Sequence, residues 1–232
     1  MKNRTDIAAP QTSSGAEIDA FLREAGALAP SAQAARGRLI FALDATMSRQ
    51  PTWDVACALQ GEMFDATASV GGLSVQLVFF RGLGETRASR WFADARSLGG
   101  AMARIRCQGG RTQIGKVLSH ARREAEARPV AALVYVGDCM EEDADALCVK
   151  AGELALLGVR AFLFHEGREP VAGATFREIA RVTGGVYLPF DAGAAAQLKA
   201  LLGAVAAYAA GGRKALERSG DAAARRLLAD LR

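Results

Sequence analysis

The chain has 232 residues, half of them hydrophobic and 23% charged, which suits one globular α/β domain with short additions and makes two complete domains a tight fit. Aromatic residues make up only 6%, so the core must come from Leu, Val, Ile and Ala. The formal net charge is +4, but Lys and Arg are scattered among Asp and Glu with no dense basic run and no interleaved aromatics, which argues against a nucleic-acid binder.

In chain order, residues 1–14 are polar, with Pro10 and paired serines, and read as a disordered lead without the apolar stretch of a secretory signal. Ile18, Phe21, Leu22 and Ala25 then share one face of a helix over 16–28, which Pro30 ends. Residues 1–37 are therefore read as an N-terminal extension, residues 38–210 as the main domain, and residues 211–232 as a C-terminal helical tail. The main domain opens with RLIFAL at 38–43, a short apolar run suited to a buried parallel strand, ending in Asp44. A helix over 53–68 carries Val55, Leu59, Met63 and Phe64 as its core stripe, with Trp53 at its start packing over the first loop. Strands follow at 73–80 and, as an alternating edge strand, at 87–92. A helix over 95–105 leads to the Gly109–Gly110 turn and a further helix over 113–127.

The run VAALVYV at 130–136 is another buried strand, terminated by Gly137 and Asp138. The next helix is expected over 141–157, opened by Glu141, Glu142 and Asp143, whose charge favours a helix N-terminus. Strand 159–164, helix 175–183, strand 185–188 and helix 192–208 complete the alternation. Strict β/α alternation implies a Rossmann-like, doubly wound, mostly parallel sheet of about six strands with helices on both faces. The most apolar window, 192–210, is interrupted by Gln197 and Lys199 and reads as a packed helix rather than a membrane span. In the tail, Ala224, Leu227, Leu228 and Leu231 share a face that packs back on the domain or docks a partner. Cys57, Cys107, Cys139 and Cys148 form no C-x-x-C pair and no zinc spacing; reduced thiols and a cytoplasmic location are expected.

The chemistry concentrates at Asp44-Ala45-Thr46-Met47-Ser48, directly after the first buried strand. One carboxylate and two hydroxyls stand two residues apart, and alternate residues of an extended loop point the same way. Taken alone, such polar residues also cap helices or shape turns. A second strand ends in Asp138, and Thr112 follows the Gly109–Gly110 turn, whose glycines admit close backbone approach. In open α/β sheets, ligands collect beyond the carboxyl ends of the strands where strand order reverses. Hard oxygen donors of this kind suit Mg²⁺, with Mn²⁺ as its near substitute.

Here the chain resembles the von Willebrand factor A (VWA) family and its metal-ion-dependent adhesion site (MIDAS), in particular its bacterial intracellular members. The family pattern is Asp-x-Ser-x-Ser after the first strand, a Thr before a later helix, and an Asp after the fourth strand. Asp44, Thr46 and Ser48 match the first element, with Thr in place of the first Ser; Thr112 matches the second and Asp138 the third. The resemblance covers about residues 38–208. It implies that the hydroxyls bind the metal directly and that the Asp side chains act through water. A carboxylate from a protein partner completes the shell, possible partners including an ATPase or chaperone-like assembly. Arg49, Arg81 and Arg111, in loops at the same edge, read as ordinary solvated arginines that would also attract such a carboxylate.

The competing reading is a Mg²⁺-dependent hydrolase with Asp44 as nucleophile, although Thr46 stands where such enzymes carry a second acid and neither Lys116 nor Lys150 sits in a motif. No G-x-x-x-x-G-K-[ST] loop supports nucleotide binding. Neither His120 nor His165 has a nucleophile beside it, and both read as structural. Cys139, next to Asp138, reads as a small buried thiol.

Overall fold

The structure is a computed structural model that describes residues 36–67, 72–190 and 195–231. The helix expected over 16–28 lies outside the described residues. Six strands, β1 (Gly37–Asp44), β2 (Leu73–Arg81), β3 (Glu85–Phe92), β4 (Ala132–Gly137), β5 (Arg160–Glu166) and β6 (Val186–Phe190), form one sheet in the order β3-β2-β1-β4-β5-β6. All neighbours are parallel except β2 and β3, which form an antiparallel hairpin at one edge. The helices are α1 (Gln50–Asp65), α2 (Ala95–Met102), α3 (Ile114–Ala127), α4 (Ala144–Leu156), α5 (Pro170–Thr183), α6 (Ala195–Ser219) and α7 (Ala222–Asp230). Six strands, mostly parallel, with helices on both faces is the architecture expected from the alternation.

The central strands are continuous apolar runs because both of their faces are covered. Along β1, Leu39, Phe41 and Leu43 pack into one core with Trp53 and Met63 of α1, Leu98 of α2 and Leu202 of α6. The intervening Ile40 and Ala42 face the other core, with Val117 of α3, Leu147 of α4 and Phe176 of α5. Each fully buried Leu, Ile or Phe contributes about 1.5–3 kcal/mol, so β1 is held from both sides. In β3 only Phe92 is buried, as befits an edge strand with water on one side. Residues Ala224, Leu227 and Leu231, in and just after α7, are buried in the same core as Leu216 of α6. Among the described residues, no helix is long and apolar enough to cross a membrane.

Several helix starts differ from the sequence expectation, two of them because a carboxylate caps the helix. α5 begins at Pro170 rather than Thr175, because the Glu169 carboxylate accepts from the backbone N–H groups of Val171 (3.0 Å) and Ala172, with proline at the first helical position. α4 begins at Ala144, where Asp143 accepts from Ala146 N–H at 2.8 Å. Glu141 and Glu142 lie before that helix. Glu142 instead caps α3, accepting from Ile114 N–H (2.5 Å) and Gly115 N–H (2.9 Å). α1 begins at Gln50, after a 3-10 turn over Met47–Arg49. α6 runs to Ser219 with a break in helical geometry at Gly212, whose φ of 64° suits glycine.

The chain runs outward from β1 through β2 to β3, then returns to lay β4 on the other flank of β1. Strand order therefore reverses between β1 and β4, and a crevice opens beyond their carboxyl ends.

Candidate metal centre

β1 ends at Asp44, paired with Phe80 of β2, while Leu43 pairs with Val136 of β4. Two backbone hydrogen bonds clamp the next residue: Ala45 N–H donates to the Phe80 carbonyl (2.9 Å) and the Ala45 carbonyl accepts from Gln108 N–H (2.9 Å). Beyond it Thr46 is extended, and the chain then closes into a 3-10 turn over Met47–Arg49. Asp44 Oδ1 accepts from Thr46 N–H at 2.7 Å, and Arg49 N–H donates to the Thr46 carbonyl at 2.9 Å. A side-chain-capped turn followed by a 3-10 turn, rather than a wholly extended alternation, brings the two hydroxyls together, with Thr46 Oγ1 and Ser48 Oγ 3.3 Å apart.

Asp138, one residue beyond β4, receives a hydrogen bond from Ser48 Oγ on its Oδ2 at 3.3 Å. Thr46, Ser48 and Thr112 line one cavity of about 190 Å³, with Met47, Gly110 and Cys139 among its other walls. Thr112 is fixed reciprocally by Glu141: its N–H donates to Glu141 Oε2, and its Oγ1 accepts from Glu141 N–H, both at 3.0 Å. Gly110 sits where its backbone meets the β2–β3 turn, so that a Cβ there would lie 2.2 Å from the Gly82 carbonyl oxygen.

The donor set fits a small, hard divalent cation. Asp44 Oδ2 and Asp138 Oδ1 are buried without a hydrogen-bond partner in the protein, an arrangement that costs free energy unless something positive satisfies it. Two ligands at right angles around Mg²⁺, each at about 2.1 Å, stand about 3.0 Å apart, close to the 3.3 Å of Thr46 Oγ1 to Ser48 Oγ. Burial pushes the Asp44 carboxyl up from 3.8 to about 6; the hydrogen bonds from Thr46 pull it down and the neighbouring Asp138 carboxylate pushes it up again. Burial and the same Asp138 also raise the Cys139 thiol to about 12, leaving it protonated rather than thiolate. Among the described residues, no cluster of three or more His, Cys, Asp or Glu side chains converges as a metal set; in the acidic run, Glu141 holds Thr112, Glu142 caps α3, Asp143 caps α4 and Asp145 lies in the first turn of α4.

Supporting residues lie where sequence reading missed them. Arg49 is not a solvated surface arginine: it is 6% exposed and forms a bidentate pair with Glu166, Nη1 to Oε2 at 2.7 Å and Nη2 to Oε1 at 2.9 Å. Its Nε stands 3.4 Å from Asp138 Oδ2, and Thr52 Oγ1 donates to the same Glu166. Arg81 is likewise engaged, with Glu85 (2.9 Å) and the Arg106 carbonyl (2.7 Å), whereas Arg111 is exposed. His165 is buried beside the site, with Nε2 3.1 Å from the Asp138 carbonyl and Nδ1 2.8 Å from the Tyr187 hydroxyl. A carbonyl only accepts, so Nε2 carries a proton, and Nδ1 is hydrogen-bonded to the Tyr187 hydroxyl. Trp53 is buried edge-on against Phe79 of β2. Arg49, Arg81 and Trp53 were signalled by position, whereas Glu166, the partner of Arg49, lies 117 residues away and gave no such signal.

No family model matches the sequence, and no curated protein matches it. Solved structures do match. One is a von Willebrand factor type A protein from Catenulispora acidiphila, 18% identical over 76% of this chain and 43% of that one, with a TM-score of 0.63. The VWA domain of SpRpn10 is 11% identical over 68% of this chain and 90% of its own, at 0.55. Proximal thread matrix protein 1 from the mussel byssus, with a zinc-occupied MIDAS motif, is 17% identical over 75% and 48%, at 0.58. The chain thus spans less than half the length of two of these three. At these identities the likeness speaks for architecture alone: the fold is that of von Willebrand factor A domains.

Proposed function

We propose that the chain is a metal-dependent protein-interaction module without a reaction of its own. In this reading Thr46, Ser48 and Thr112 hold Mg²⁺, or Mn²⁺ as its near substitute, with Asp44 and Asp138 beneath them. The ion supplies a positive centre that an Asp or Glu of a partner protein neutralises. The observation that carries this is the pair of buried, unpartnered carboxylate oxygens on Asp44 and Asp138, at the end of a crevice where Ser48 bonds Asp138 and shares a cavity with Thr46 and Thr112. The mussel-byssus neighbour described with zinc in its MIDAS motif supports the same assignment by analogy.

The rim describes the partner further. Met47 lines the cavity and is 62% exposed; Leu83, 87% exposed, tips the β2–β3 turn whose backbone packs on Gly110. Exposed apolar side chains beside a charged centre suit an acidic residue flanked by apolar ones. Partners in the cytoplasm, an ATPase or chaperone-like assembly among them, belong to this proposal. The hydrolase reading loses ground, because Lys116 and Lys150 line a different cavity, against β3, and Thr46 offers no acid.

The test is Mn²⁺ binding followed by electron paramagnetic resonance, then capture of a Glu-containing peptide flanked by leucines. The wild type is expected to bind one Mn²⁺ that Mg²⁺ displaces, and to hold the peptide only with metal. Peptide binding that is unchanged by EDTA and by Asp44→Ala would overturn the proposal. Phosphatase turnover lost in Asp44→Asn would favour the enzyme.

A further inference from the structure

A second cavity, of about 450 Å³, opens between the edge hairpin and α3, within the range of small-molecule sites. Its walls carry three cationic side chains, Lys116, Arg123 and Lys150, and one carboxylate, Glu142, while Arg87 borders it from β3 with its side chain on the opposite sheet face, bonded to Glu85. Lys116 and Arg123 stand seven residues apart on α3 with His120 between them, a spacing that places all three on one helix face. The single carboxylate leaves this set in excess positive charge, and it also accepts from the N–H groups of Ile114 and Gly115. Glu124, the next acid along the helix, is engaged by Arg38 at 2.8 Å.

The cations themselves have mostly neutral partners. Lys116 Nζ donates to the Gly84 carbonyl (2.9 Å) and Gln113 Oε1 (3.0 Å), and Lys150 Nζ to Ser119 Oγ (2.9 Å). Among the described residues Lys116, Arg123 and Lys150 form no salt bridge, and Arg87 shares Glu85 with Arg81. Burial holds His120 below the ordinary histidine range, so it serves as a neutral polar group. Three cations around one concavity, with the buried Val78 as an apolar floor, make a local field that concentrates compact multivalent anions. Arg123 presents a planar fork matched to phosphate oxygens.

We propose that this cavity binds a small phosphorylated compound, with Arg123, Lys116 and Lys150 on its phosphate oxygens. A concave site of limited volume favours such a ligand over an extended acidic chain. The site is separate from the metal centre and does not depend on it. Calorimetry with inorganic pyrophosphate in EDTA tests it, since chelation removes any contribution of a bound cation. One-to-one binding with a Kd of about 10 µM is expected, weakening about tenfold in Arg123→Ala and further at high salt. Ala88→Trp, at an exposed position on the cavity wall, fills the space without changing charge and is expected to abolish binding, with circular dichroism checking the fold. Asp44→Ala should leave it unchanged. No saturable binding up to about 5 mM, binding that neither cavity variant weakens, or tighter binding of a polyglutamate peptide than of pyrophosphate would overturn the proposal.

Discussion

Replacing Asp44 with Asn separates the cost of a buried charge from the metal it is held to serve. The carboxyl is 2% exposed, and burial, the largest influence on it, lifts it from 3.8 to about 6. The unfolded chain releases that proton near the ordinary value, so between about pH 4 and 6 the native state holds a proton that the unfolded state has lost. The stability of the metal-free protein therefore falls as pH rises through that window. Above pH 6 the full cost is present, about 3 kcal/mol at about 1.36 kcal/mol per pH unit. Asn can still accept from Thr46 N–H, as Asp44 does at 2.7 Å, but carries no charge. In EDTA at pH 8, Asp44→Asn is expected to be more stable than wild type by up to about 3 kcal/mol, an advantage that vanishes at pH 4. Mg²⁺ at about a hundred times its Kd should add about 2.7 kcal/mol to the wild type and nothing to the variant. Urea unfolding at pH 4, 6 and 8, with and without Mg²⁺, measures both effects. A variant no more stable than wild type at pH 8 in EDTA, or one that gains equally from Mg²⁺, would refute the reasoning.

Arg49→Met strands the buried Glu166 carboxylate and should cost about 3–5 kcal/mol, whereas Arg49→Met with Glu166→Met should restore most of that loss; chemical denaturation of the two variants checks it. Gly110→Ala would drive a Cβ into the Gly82 backbone; a fall in thermal midpoint with weaker Mn²⁺ binding is expected, and an unchanged midpoint would show that the two turns can part freely. Thr112→Val keeps the shape but removes the acceptor for Glu141 N–H, so a loss of about 1–3 kcal/mol and of the Mg²⁺ response is expected, with Thr112→Ser retaining the response.

Much of this site was legible because its parts are local. Asp44, Thr46 and Ser48 announce themselves as oxygen donors at the end of an apolar run, and Asp138 follows a second such run. The geometry that unites Thr46 and Ser48 is only partly the extended one expected: Thr46 is extended, but Met47–Arg49 form a 3-10 turn and Thr46 N–H bonds Asp44 Oδ1. Two helix starts were misplaced for a similar reason: a capping carboxylate such as Glu169 extends α5 beyond its apolar stripe.

The sequence alone determined the class of fold, the buried strands and the oxygen-bearing character of the residues at the ends of two of them. It could do so because burial on two faces imposes a continuous apolar run, and a hard cation demands oxygen, both conditions written in neighbouring residues. The tertiary structure decided which strands lie side by side, placing β4 against β1 so that Asp44 and Asp138 leave adjacent carboxyl ends. It also decided that Arg49 answers Glu166, that Glu142 caps a helix other than the one it precedes, and that Lys116, Arg123 and Lys150 line one cavity. Those pairings join residues far apart in sequence, and their partners are selected by how two cores close around one sheet, which no local pattern of side chains encodes.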